Sequence, residues 1–131
     1  MIFVDTSAWY ALVVAATPEH QAIREVLAQL SLPLLTTDYV VDETLTLLRA
    51  RGHSRLALTL GQEFFSDTLA TVYHLKPDDV RATWQVFQRY ADKDWSFTDC
   101  ASKVVMEQLR ITQALSLDHH FRQFGNISVL P

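Results

Sequence analysis

Short apolar runs alternate with longer amphipathic stretches along this chain, and that alternation constrains the fold more than any other feature. Runs too short for helices, bounded by polar or turn-forming residues, read as strands buried on both faces. Such strands belong to parallel sheets, whose neighbours must be joined by helical crossovers. Ile2-Phe3-Val4 predicts the first strand, followed by an apolar helix over 6–16. Thr17-Pro18-Glu19 predicts a fresh helix start, with Thr17 as N-cap and Pro18 at the first helical position, running to residue 30. A strand over 34–36 leads into a helix over 38–51 closed by Gly52, and a further helix covers 54–65. The β-rich segment 69–75 precedes a helix opened by Pro77-Asp78-Asp79 and reaching residue 90. A helix over 96–110, a strand over 114–117, a short helical turn after Asp118 and an edge strand over 127–130 complete the pattern. Strands separated by helices predict an α/β fold: a three-layer sandwich with a mainly parallel central sheet.

A chain of 131 residues suits a single domain spanning 1–131, and 49% hydrophobic residues supply a core without disulfide or structural metal. One cysteine, Cys100, forms no internal disulfide and no multi-cysteine zinc site, so a reducing, cytoplasmic setting is expected. No stretch is long and apolar enough for a membrane span, and the start lacks the basic residues of a secretory signal. With only three glycines there is neither a Walker loop nor a dinucleotide-binding fingerprint. The net charge of −4 argues against a broad electrostatic grip on nucleic acid. It leaves open an enzyme that holds nucleic acid through metal ions and a small basic patch.

Two predicted strands end directly in an aspartate, at Asp5 and at Asp118. Open parallel sheets bind ligands at the carboxyl ends of their strands, so parallel pairing puts both aspartates on one rim. The helix after the second strand starts at that rim and carries Glu43 in its second turn, on the shoulder of its apolar face. Asp99 opens a later helix, and the path of loop 91–96 decides whether it reaches the same rim. Each residue also has a plain structural reading. Asp99 completes a capping box with Ser96 and has Lys103 one turn on, Asp118 caps the short helix after it, and Glu43 suits a solvated helix face. Taken together, converging carboxylates repel one another unless a cation compensates. An oxygen-only cluster suits Mg²⁺ or Mn²⁺, which activates water and clamps phosphodiester oxygens. The residues therefore point to metal-dependent phosphoryl transfer.

The segments Met1-Ile-Phe-Val-Asp5-Thr-Ser7-Ala, Thr37-Asp-Tyr-Val-Val-Asp-Glu43-Thr-Leu-Thr-Leu-Leu, Trp95-Ser-Phe-Thr-Asp99-Cys and Leu117-Asp118-His-His-Phe121 occur in order. In this set the chain resembles PIN-domain ribonucleases over essentially its whole length, most of all the VapC-type toxins of toxin–antitoxin pairs. The resemblance implies a compact PIN-like nuclease with a Mg²⁺/Mn²⁺ centre cutting RNA, leaving a 5′-phosphate and a 3′-hydroxyl. Asp5, Glu43, Asp99 and Asp118 match the family's four acidic positions, and Ser7 and Thr98 its supporting polar ones. It further implies a homodimer, and an antitoxin whose apolar tail lies in a surface groove. The first helix is apolar nearly all round, so either neighbouring helices or a partner must cover it. With the resemblance, the first helix is expected to help line the antitoxin groove, with Trp9 or Tyr10 as an anchor. Arg49, Arg51 and Arg55 form the densest basic patch; favourable helix-end electrostatics explain Arg49 and Arg51, and the family suggests RNA contact.

Other readings are weaker. Adjacent His119 and His120 lack zinc-ligand spacing and read as exposed helix-start residues. Asp92 and Asp94 read as a solvated loop or as outer acidity, and Cys100 has no base beside it. A phospho-accepting receiver domain needs a late lysine, and none follows Lys103. A housekeeping RNA-processing PIN nuclease without antitoxin, and a non-catalytic partner-binding module of the same fold, remain as alternatives. Metal-dependent RNA cleavage separates nuclease from module, and an adjacent antitoxin gene separates the two nucleases.

Overall fold

The computed structural model describes all 131 residues. Five strands, β1 (Ile2–Val4), β2 (Leu34–Thr37), β3 (Thr71–Tyr73), β4 (Gln113–Leu115) and β5 (Ser128–Leu130), form one sheet in the order β3-β2-β1-β4-β5. Every pairing is parallel. Six helices connect them: α1 (Thr6–Val13), α2 (His20–Gln29), α3 (Asp38–Ala50), α4 (Ser54–Phe65), α5 (Pro77–Arg89) and α6 (Phe97–Gln108). A 3₁₀ helix (His119–Gln123) joins β4 to β5. The expected α/β sandwich with a parallel sheet is the fold observed. No helix is long and apolar enough to cross a membrane.

The chain moves outward from β1 to β3, then crosses back to β4 on the other side of β1. Strand order therefore reverses between β1 and β4, the place where open α/β sheets form their crevice. The register puts Val4 beside Leu115, so Asp5 and Ser116 leave the sheet side by side. The Asp5 N–H donates to the Leu115 carbonyl at 3.1 Å. Right-handed crossovers bring the helices of the outward path to one face and those of the return path to the other. α1 packs on α2 and α3, α3 on α4, and α5 on α6.

Ile2, Phe3 and Val4 are buried without alternation, as a central parallel strand requires. The Trp9 ring meets Phe64 edge-on at 5.1 Å, and its Nε1 donates to Thr36 Oγ1 at 3.3 Å. Thr36 Oγ1 in turn donates to the Val4 carbonyl at 3.0 Å, so neither polar group is left unpaired in the core.

The expected helix start at Thr17-Pro18 is corrected. α1 stops at Val13, Val14 turns extended and buries its side chain, and Thr17 is not an N-cap. The Thr17 carbonyl accepts from the His20 N–H at 3.0 Å, making 17–20 a β-turn with Pro18 at its second position, where a fixed φ is favoured. α2 begins only at His20, whose Nδ1 pairs with the Ala11 carbonyl at 2.7 Å. The other boundaries differ from expectation by a few residues at most. The expected pairing of Asp99 with Lys103 is also absent, because Lys103 pairs with Glu107 instead.

Candidate active site

Four elements deliver the acidic residues to the carboxyl rim. Asp5 is the N-cap of α1, an extended residue whose side chain accepts from the Ser7 backbone. Asp118 caps the 3₁₀ helix in the same way, accepting from His120 N–H at 2.9 Å. Asp99 sits in the first turn of α6 and completes the capping box with Ser96: Ser96 N–H donates to Asp99 Oδ2 and Asp99 N–H to Ser96 Oγ, both at 3.0 Å. Glu43 lies in the second turn of α3, which Thr37 caps by accepting from Val40 N–H at 3.1 Å. Loop 91–96 brings Asp99 to the rim because it is anchored. Trp95 is buried, stacks near Tyr90 at 4.6 Å and donates to Gln123 Oε1 at 2.7 Å.

The electrostatics tie the four together. Burial pushes the Asp5 carboxyl up to about 7, the Ser7 hydroxyl partly opposes this, and the Asp99 charge raises it further. Glu43 is held above its ordinary range chiefly by burial, with the Thr6 hydroxyl opposing and the charges of Asp99 and Asp118 adding. Helix N-termini converge here and favour negative charge, yet two of the carboxyls remain raised.

Three carboxylates share one pattern. Asp5 Oδ2 accepts from Ser7 Oγ at 3.0 Å, Ser116 Oγ at 3.1 Å and Ser7 N–H at 3.4 Å. Asp99 Oδ2 takes Ser96 N–H and His120 Nδ1, the latter at 2.9 Å. Asp118 Oδ1 takes the His120 N–H. In each case the partner oxygen has no protein hydrogen bond and is available to a ligand. Anchored, unneutralised oxygen donors of this kind fit a hard divalent cation such as Mg²⁺ or Mn²⁺.

Ser7 Oγ donates to Asp5 and accepts from Leu117 N–H at 2.9 Å. Thr98 is half-buried, and its carbonyl accepts from Ser102 Oγ at 3.0 Å; it is not joined to the carboxylates. Cys100 is buried, and desolvation pushes its thiol up to about 11, which suits packing and not nucleophilic attack. Asp92 and Asp94 are exposed, Asp92 lying 3.9 Å from Lys93. Arg49, Arg51 and Arg55 are exposed at the far end of α3 and the start of α4, away from the acidic rim.

Two expectations are corrected. Trp9 is 0% exposed, so it belongs to the core and offers no surface anchor; α2 and α3 cover the helix from outside. Tyr10 is only half-buried, with the Arg51 guanidinium 5.1 Å above its ring. Nor is His120 an exposed helix-start residue, since its side chain is largely buried between Asp99 and Asp118; its ring centroid lies 4.4 Å from that of exposed His119. Sequence reasoning also missed Ser116, whose Oγ donates to Asp5 and accepts from Asp118 N–H at 3.0 Å. Its one signal is a small polar residue interrupting the apolar run Ala114-Leu-Ser-Leu117.

Residues 2–127 match the model of the PIN domain family. The chain is 33% identical over 131 residues to the 23S rRNA-specific endonuclease VapC20 of Mycobacterium tuberculosis, covering 100% of this chain and 99% of that protein, in two strains. The crystal structure of M. tuberculosis VapC20, a Sarcin-Ricin loop cleaving toxin, superposes with TM-score 0.92 at 30% identity over the whole of both chains. FitAcB from Neisseria gonorrhoeae superposes with TM-score 0.64 at 11% identity, over 100% of this chain and 97% of that one, a likeness of fold alone.

Proposed function

The chain belongs to the PIN-domain family, and from that premise we propose that it is a metal-dependent endoribonuclease acting as the toxin of a toxin–antitoxin pair. The observation that carries this reading is the convergence of Asp5, Glu43, Asp99 and Asp118 where strand order reverses between β1 and β4. The full-length similarity to VapC20 makes ribosomal RNA, in a loop of the sarcin–ricin type, the substrate class to test first.

Asp5, Asp99 and Asp118, with Glu43, would hold the ion and its water. When bound, a Mg²⁺ or Mn²⁺ ion lowers the pKa of water and neutralises charge building on the phosphodiester. Glu43 orients the attacking water and takes its proton. The new P–O bond would form as the bond from phosphorus to O3′ breaks, and O3′ would take a proton from solvent water, leaving a 5′-phosphate and a 3′-hydroxyl. Ser7 and Ser116 fix the Asp5 rotamer so that the carboxylate does not swing during the displacement.

Purified protein incubated with an RNA carrying that loop should cut it with Mn²⁺ or Mg²⁺, stop with EDTA and resume when metal is restored. Cutting that persists in EDTA, or none on any RNA, overturns the reading.

The proposal extends to a homodimer and to an antitoxin tail. A groove of about 230 Å³ between α1 and α4 is lined by Leu12, Val13, Leu56, Thr59, Leu60, Glu63 and Leu69. Its apolar walls suit an amphipathic helix, and Tyr10 stands in the same helix as Leu12 and Val13. Tyr10→Ser with Leu12→Ser should weaken the antitoxin complex before it weakens RNA cleavage. Undiminished affinity by calorimetry places the groove elsewhere.

A further inference from the structure

We propose that His120 is a positioning residue of the metal centre, a clamp that ties Asp99 to Asp118 and leaves their ion-facing oxygens free. The inference rests on the metal-centre reading above. The His120 ring nitrogen approaches the carboxylates of two of the four acidic residues, Asp99 and Asp118. Its Nδ1 is 2.9 Å from Asp99 Oδ2 and 3.3 Å from Asp118 Oδ1, and its N–H donates to that same Asp118 oxygen at 2.9 Å. A carboxylate offers only acceptors here, so Nδ1 carries the hydrogen.

The division of oxygens decides between clamp and ligand. Asp99 Oδ2 is already held by Ser96 N–H, and Asp118 Oδ1 by the His120 backbone, so Nδ1 points at the two oxygens that the fold has tied down. An imidazole acting as an ion ligand would instead turn toward the oxygens without hydrogen bonds. His120 thus does for Asp99 and Asp118 what Ser7 and Ser116 do for Asp5. It bridges α6 and the 3₁₀ helix, which lie 21 residues apart in sequence at this contact. Groups that orient metal ligands in this way typically govern affinity by about 10–100-fold.

Calorimetric titration of Mn²⁺ into wild type, His120→Ala, His120→Asn and Asp5→Asn tests the proposal, alongside Mn²⁺ spin-resonance spectra and matched unfolding midpoints. The expected result is Mn²⁺ affinity about 10–100-fold weaker in His120→Ala. His120→Asn should recover most of it, because an asparagine amide N–H falls close to the place of Nδ1. The wild-type spectrum should show no directly bound nitrogen. If His120→Ala does not fold, His120→Asn against His120→Gln carries the test, since the glutamine amide falls near Nε2 and should not rescue. Wild-type affinity in His120→Ala overturns the proposal. So does an asparagine variant as weak as the alanine or glutamine one, or a nitrogen coupling in wild type. In all those cases weak Mn²⁺ binding by Asp5→Asn keeps the metal centre standing. Wild type that binds no Mn²⁺ overturns both.

Discussion

The two rims of the sheet use the same helix ends in opposite ways. At the carboxyl rim helices begin, yet burial first, and the neighbouring carboxylates after it, raise Asp5 and Glu43 despite those N-termini. At the other rim helices end. α3 passes into Arg51 and Gly52, at φ +83°, and α6 into Leu109 and Arg110, at φ +55°. Arg49 and Arg51 are exposed there, complementing a helix C-terminus at little cost. Charge at the far rim is matched to the fold, whereas charge at the near rim is in excess of it. An excess that the fold tolerates marks the place where something else is meant to bind.

The sharpest way to break this contrast is Asp5→Asn, which keeps volume and removes charge. Cleavage should fall by about 10³-fold, the scale of several kcal/mol of lost transition-state stabilisation, measured on the loop RNA at saturating Mn²⁺. The same variant tests the excess charge itself. Because the folded pKa of Asp5 is raised from 3.8 to about 7, the metal-free native state binds this proton more tightly than the unfolded chain. That stability is fully present below pH 4 and disappears as pH climbs through 7, a loss of about 4 kcal/mol. Urea unfolding in EDTA should show wild type weakening over this window and Asp5→Asn weakening clearly less, the remainder coming from the raised Glu43. A level wild-type profile removes the claim of excess charge.

Ser116→Ala comes next, deleting one of the donors on Asp5 Oδ2 and the acceptor for Asp118 N–H. Mn²⁺ affinity should drop by about tenfold, at the lower end for groups that orient ligands, read by calorimetry. At the far rim, Gly52→Ala forces a side chain onto a left-handed residue with open space around it, so backbone strain alone acts. It should cost about 1–2 kcal/mol of stability and leave cleavage per folded molecule unchanged. Equal effects on both would show the rims to be coupled. The smallest effect belongs to Arg49, Arg51 and Arg55 changed together to Ala. Stability should move by less than about 0.5 kcal/mol per site. RNA affinity should weaken modestly and lose some of its salt dependence if the patch touches phosphates; an unchanged salt slope assigns the patch to helix-end electrostatics alone.

The near rim was readable in part from the sequence for a local reason. Asp5 and Asp118 follow apolar strands directly, and a strand ending in a carboxylate declares both its direction and its rim. Asp99 was not readable in this way, because its place depends on Trp95 being pinned to Gln123, far along the chain, as well as packed on nearby Tyr90. His120 was invisible for the same reason, since nothing near it in sequence announces a partner on α6. Trp9 misled because an all-apolar helix does not say which neighbour covers it; here α2 and α3 do. Thr17-Pro18 misled because proline serves a turn as well as a helix start, and the burial of Val14 ended α1 early.

The acidic centre draws its first residue from position 5 and its last from position 118, joined by the pairing of β1 with β4. Asp5 is made long before residues 113–115, and it has no β4 to lie beside until those residues exist. A polypeptide still emerging from a ribosome therefore carries the first aspartate without a completed centre. Its acidic centre can assemble only once Asp118 has been made, more than a hundred residues after Asp5.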